Sequence, residues 1–166
     1  MARARRPTAS AAGLDFPAAL SFCLRSTASN PAMADDYTKT TRHIRVSVRP
    51  FYLEDQSNPL EGHYVWAYRV RIENQGREVV QLLRRTWQIT DERGRTQHVH
   101  GAGVVGEQPT FDPGESFEYT SSTPLGTPSG FMVGAYHMVV SASGEAFDVA
   151  IPAFSLDSPH TSGQVH

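Results

Sequence analysis

Gly101, Gly103 and Gly106 form a G-x-G-x-x-G spacing, the arrangement in this chain that comes nearest to a ligand loop. In a dinucleotide site that spacing follows a strand and opens a helix, so that helix-terminal N–H groups meet a pyrophosphate. Here Pro109, Pro113 and Gly114 follow, and no helical period appears, so a Rossmann site is excluded. A looser use remains: exposed backbone N–H groups of a glycine loop can cradle an anion. The competing reading is conformational, with the glycines serving a bulged strand and tight backbone packing. Arg84 and Arg85 are the nearby cations, and either guanidinium can bind a phosphate or carboxylate bidentately. Adjacent strand residues point to opposite faces unless a bulge intervenes, so the two are not expected to act together.

His98 and His100 share one strand face, and His63 is a third imidazole that could join them. Same-face histidines can bind zinc or cobalt, but a closed site needs further ligands that no spacing supplies. The acidic pairs Asp35-Asp36 and Glu54-Asp55 read as solvated strand ends rather than as a general acid and base. No nucleophile elbow, H-E-x-x-H helix or Walker loop is present, so nothing in the sequence suggests an enzyme or a bound cofactor. The single cysteine, Cys23, excludes an internal disulfide and fits a reducing compartment.

The elements that would carry these residues read as strands. Ile44, Val46 and Val48 alternate with Arg45, Ser47 and Arg49, and Pro50 then suggests an edge or a bulge. The strongest strand sets Tyr64, Trp66, Tyr68, Val70 and Ile72 on one face, which should anchor the core. Residues 79–90 are apolar but change parity, which predicts a bulge near Arg84 and Arg85. Short strands are expected at 95–100, 117–121, 131–140 and 147–151, with loops at Thr123-Pro124 and at 127–130. Seven short antiparallel strands without helical periodicity predict an all-β sandwich, of the disulfide-free immunoglobulin or fibronectin III kind.

The chain has 166 residues and a formal charge of -2, unevenly spread. Residues 1–33 carry a net +3 and the remainder a net -5. A basic, Ala- and Ser-rich leader fits a secretory signal, an organelle transit segment or an unstructured extension upstream of Met33. The last reading is preferred, and all three predict no packed structure before about residue 35. The expected organisation is a disordered extension at 1–34, one domain at 35–157 and a flexible tail at 158–166. Near-neutral charge argues against nucleic-acid binding, and no uncharged apolar run is long enough to span a membrane.

Several segments together resemble the ApaG domain family. They are Thr41-Arg42-His43-Ile44-Arg45-Val46, then Tyr64-Val65-Trp66-Ala67-Tyr68, and Leu82-Leu83-Arg84-Arg85-Thr86-Trp87. Residues 101–109, Pro113-Gly114-Glu115-Ser116-Phe117, Gly134-Ala135-Tyr136 and Ile151-Pro152-Ala153-Phe154 complete the likeness, which spans about 36–157. The resemblance implies an immunoglobulin- or fibronectin-like sandwich in a bacterial cytoplasm. Similar domains occur as interaction modules in eukaryotic F-box and polymerase-delta-interacting proteins. Some members carry a cobalt/magnesium efflux label, but a chain without a membrane span cannot move an ion alone, so any link to metal resistance would be indirect.

The leading expectation is therefore a non-enzymatic β-sandwich that binds an unidentified protein partner through its edges and loop ends, 57–62 and 101–114. Two alternatives stand beside it. One is a sensor of pyrophosphate-containing nucleotides built on Gly101, Gly103, Gly106, Arg84 and Arg85. The other is a metal-binding accessory protein using His98, His100 and His63.

Overall fold

The computed structural model describes residues 22–26 and 36–160. Two antiparallel sheets face each other as a sandwich. The first runs in the order β1 (Phe22–Ser26), β8 (Ser116–Leu125), β4 (Tyr64–Asn74), β3 (Ile44–Tyr52), β2 (Tyr37–Thr41). The second runs β10 (Ala146–Asp157), β9 (Ser129–Val140), β5 (Val80–Asp91), β6 (Thr96–Ala102), with the short β7 (Thr110–Phe111) pairing the start of β5.

The period-two pattern explains the core. Val46, Val48, Val70 and Ile72 are fully buried, and they meet Tyr136, Val149, Phe154 and Leu156 from the second sheet. β10 lies across β2 and β3, which places an aromatic knot at mid-sandwich. Trp87 packs edge-on to Phe154 with ring centroids 5.9 Å apart and against Tyr68 at 5.4 Å. Such offset and edge-on geometries suit the ring quadrupoles and add to the burial of large apolar area.

All seven expected strands form, and the differences from expectation have local causes. β2 is an additional strand of polar, mostly exposed residues, so it shows no alternation to read. It makes β3 an internal strand rather than an edge. Pro50 is tolerated because β2 stops pairing at Val48, leaving Pro50 with β4 alone on one side. Thr123-Pro124 is strand and not loop: Pro124 pairs with Val65, and β1 covers β8 only as far as Thr120. Among the described residues β8 pairs beyond Thr120 with β4 alone, and a residue without an N–H fits there.

The expected absence of packed structure before about residue 35 does not hold at residues 22–26, which pair antiparallel with β8 in the register Cys23 to Tyr119. A sheet edge presents unpaired N–H and C=O groups that any extended segment can satisfy. The rest of the leader, including Arg3, Arg5, Arg6 and Met33, and the end of the tail lie outside the described residues. The start of the tail is packed: Ser158 is buried and its N–H donates to Pro128 O at 3.1 Å.

Candidate functional site

The bulge in β5 organises the region that the sequence singles out. The register against β9 slips by one residue between Leu82 and Arg84. Before the slip Val80 and Leu82 face inward; after it Arg85, Trp87 and Ile89 do. Arg84 is exposed on the outer face, and Arg85 enters the sandwich opposite Tyr136. The extra residue turns the Leu83 carbonyl out of the ladder. It accepts from Gly103 N–H at 2.8 Å and from Gln108 Nε2 at 3.0 Å.

Arg85 is thereby held by the glycine segment. Its Nη1 donates to Gly103 O at 2.7 Å and to Ala102 O at 3.2 Å. Gly101 lies directly beneath the guanidinium, where a Cβ would come within 2.7 Å of Nη1. Gly103 has φ +61°, and a Cβ there would sit 2.0 Å from Glu107 O. That oxygen is fixed by accepting from Val104 N–H at 2.7 Å. The segment thus offers carbonyl oxygens to a cation, and the Gly103 N–H is spent within the fold. Gly103→Ala is expected to cost about 3 kcal/mol or more, from a left-handed φ and a backbone clash together. Chemical denaturation would read it, and wild-type stability would contradict the account.

Below Arg85 lie three buried tyrosines, Tyr68, Tyr119 and Tyr136. The Tyr119 and Tyr136 hydroxyls hydrogen-bond each other, and Tyr68 bonds Ser121. Burial pushes all three phenols above their ordinary range, opposed in part by the positive charge of Arg85. Buried hydroxyls without partners would be costly, so this paired set stabilises the fold as a unit. Arg85→Ala is expected to cost about 2 kcal/mol, the loss of charged hydrogen bonds to two carbonyl groups. A melting temperature unchanged by the substitution would rule out this structural role.

The histidines do not converge. His98 and His100 are exposed on β6, opposite Gln88 and Thr86. His63 bridges to Asn58 in the loop before β4, in the other sheet. Among the described residues no three His, Cys, Asp or Glu side chains come together as a metal ion would need.

Two features escaped sequence reading. One is a cleft of about 490 Å³ beside the β2–β3 turn, lined by Arg42, His43, Arg77, Glu78 and Phe147 among others. Arg42 and His43 both have positive φ, and Arg42 is tied to Glu145 at 2.9 Å and stacked 4.6 Å over Phe147. That bond holds the Glu145 carboxyl below its usual range. The second feature is the outer face of the second sheet. Across β10, β9 and β5 its middle is built from Ala150, Ala135 and Thr86, with Val133 and Val139 alongside on β9. The outer face of the first sheet instead carries Arg69 paired with Glu118 and Arg71 paired with Glu73. The signal was present in β9, where both parities are apolar: Met132, Tyr136 and Met138 inward, Val133, Ala135 and Val139 outward.

Residues 54–140 match the model of a family described as the ApaG domain. Protein ApaG of Rhodospirillum centenum is 68% identical over 124 residues, covering 75% of this chain and 95% of that protein. Protein ApaG of Paramagnetospirillum magneticum is 65% identical with the same coverage. Among solved structures, the putative ApaA protein from Bordetella pertussis superposes with a TM-score of 0.68 at 50% identity. It spans 71% of this chain and 95% of its own.

Proposed function

The chain belongs to the ApaG domain family, and from that premise we propose that it is a non-catalytic protein-interaction module that docks through the outer face of its second sheet. One observation carries the reading: the small, flat, weakly charged surface of Val133, Ala135, Val139 and Ala150, set against the ion-paired face of the other sheet. A solvated sheet face normally carries long polar side chains, whereas short apolar ones allow close approach of a partner. Arg84 and the His137–Asp148 pair, with Nδ1 to Oδ1 at 2.6 Å, rim this surface and would fix orientation. A reducing, cytoplasmic setting is part of the reading and is supported by the single cysteine. No helix among the described residues is long and apolar enough to cross a membrane.

Photo-crosslinking in cells tests the proposal. A photoreactive residue at position 135 should give a discrete adduct that Val133→Glu removes, while the same residue at position 120 on the first sheet should give none. Equal labelling at both positions, or no adduct at 135, would overturn it.

A further inference from the structure

A second surface has a chemistry of its own. Tyr52 and Trp66 face each other across β3 and β4, with ring centroids 5.4 Å apart. Tyr64 lies 6.4 Å from Trp66 on the same strand. The rings of both tyrosines are met by one further residue, His160 of the C-terminal segment, at 6.0 Å from Tyr52 and 6.4 Å from Tyr64. His160 is itself exposed, so it covers the aromatic group from the solvent side. The Tyr52 hydroxyl is buried and has no hydrogen-bond partner among the described residues.

The loop that leads into β4 is acidic. Between Arg49 and Arg69 the chain carries Glu54, Asp55 and Glu61 and no lysine or arginine. The loop bearing these acids folds back onto the start of β4, through Leu53 N–H to Val65 O at 2.8 Å and Val65 N–H to Ser57 Oγ at 3.0 Å. The backbone carbonyl of Asp157 accepts from Trp66 Nε1 at 3.1 Å, which brings the end of β10 to the same aromatic group. Electron-rich ring faces beside carboxylates attract cations, and arginine best of all, because its plane also stacks.

We propose that this aromatic and acidic end of the sandwich is a docking site for an arginine side chain on an extended segment of a partner protein, with His160 as its resident occupant. The guanidinium would replace the imidazole against Tyr52 and Tyr64 and supply the N–H donor that the Tyr52 hydroxyl lacks. The proposal deepens the reading of an interaction module but uses a different surface from the second sheet's outer face, so the two fail separately.

The test uses the full chain and a five-residue Gly/Ser peptide with one central arginine, beside its glutamine counterpart. The chain has two tryptophans, so the indole N–H resonance of Trp66 reports the site and that of Trp87 is the internal control. His160→Ala alone should shift the Trp66 resonance. In that variant the arginine peptide should shift it further, with an affinity about threefold or more above that of the unsubstituted chain. The glutamine peptide should leave it in place, and Asp55→Asn with Glu61→Gln should weaken binding without disturbing the core. No response of Trp66 to millimolar arginine peptide in His160→Ala would overturn the proposal. So would an equal response to the glutamine peptide, or equal affinity with and without His160. The position-135 crosslink is unaffected by any of these outcomes.

Discussion

Above pH 10 the protein is expected to lose stability at up to about 4 kcal/mol per pH unit while three buried tyrosines keep protons that the unfolded chain has released, easing toward about 2.7 once Tyr68 titrates in the folded state. The steepness comes from Tyr119 and Tyr136, whose phenols burial raises well above their ordinary 10.0, and from Tyr68, which burial also raises. The sign follows from where the protons reside. Below pH 10 the folded and unfolded chains both hold them, and stability is full. Above it the unfolded chain releases these protons and the folded chain retains them, so the equilibrium moves toward unfolding. A native pairing of Tyr119 with Tyr136 cannot admit a phenolate without stranding charge between the sheets. Tyrosinate absorbance should therefore rise in two stages: first the accessible phenols, then a cooperative step coincident with loss of the near-ultraviolet circular dichroism. Tyr136→Phe should flatten the pH slope by about 1.4 kcal/mol per unit even if it lowers stability at neutral pH. A single smooth titration with no coincident unfolding would sink this account.

Trp66→Ala is expected to cost about 3–5 kcal/mol, the range for deleting a fully buried aromatic side chain. For a domain of this size that lowers the melting temperature by roughly 10–20 °C. Two terms add here. The indole is 1% exposed and packs against Tyr52 and Tyr64, and its Nε1–H satisfies the carbonyl of Asp157 at the end of β10. Trp87 supplies the contrast. It is equally enclosed, between Tyr68 and Phe154, but its Nε1–H is buried without a partner among the described residues. Removing an unsatisfied donor recovers its desolvation penalty, so Trp87→Phe should be milder than Trp66→Phe. Thermal denaturation of the three variants separates hydrogen bonding from packing, and the reverse order would contradict the assignment.

Sequence reading succeeded where one physical signal dominates. The aromatic face of β4 declared itself because five large residues recur at period two, and a strand with that pattern must bury that face. β2 was invisible because Tyr37-Thr38-Lys39-Thr40-Thr41 forms only through pairing with β3, a partner that local pattern cannot name. The break in parity on β5 predicts a bulge near Arg84 and Arg85 and the structure places it at Leu83, but parity alone does not name the extra residue, so nothing local says which of Arg84 and Arg85 enters the sandwich. The glycine spacing lies at the end of β6 and in the turn after it, with β7 and not a helix as the next element. Its relation to Arg85 was out of reach, because seventeen residues and a hairpin separate the cation from the carbonyl oxygen of Ala102. The flat face of the second sheet was hidden by the habit of assigning each strand one apolar side.

The slip at Leu83 also governs how this domain can tolerate change. Side chains on β5 follow one phase up to Leu82 and the opposite phase from Arg84 onward. The extra residue is what lets Leu82 and Arg85, three positions apart, face the same way. Replacing Leu83 leaves the phase intact. Deleting it would join Leu82 to Arg84 in step with Met138 and His137 on β9, so every later side chain would keep its face, while the carbonyl that holds Gly103 and Gln108 would be lost. The extra residue thus serves as an anchor for the glycine segment, and the irregular stretch is where this strand gives up regular pairing to hold its neighbour.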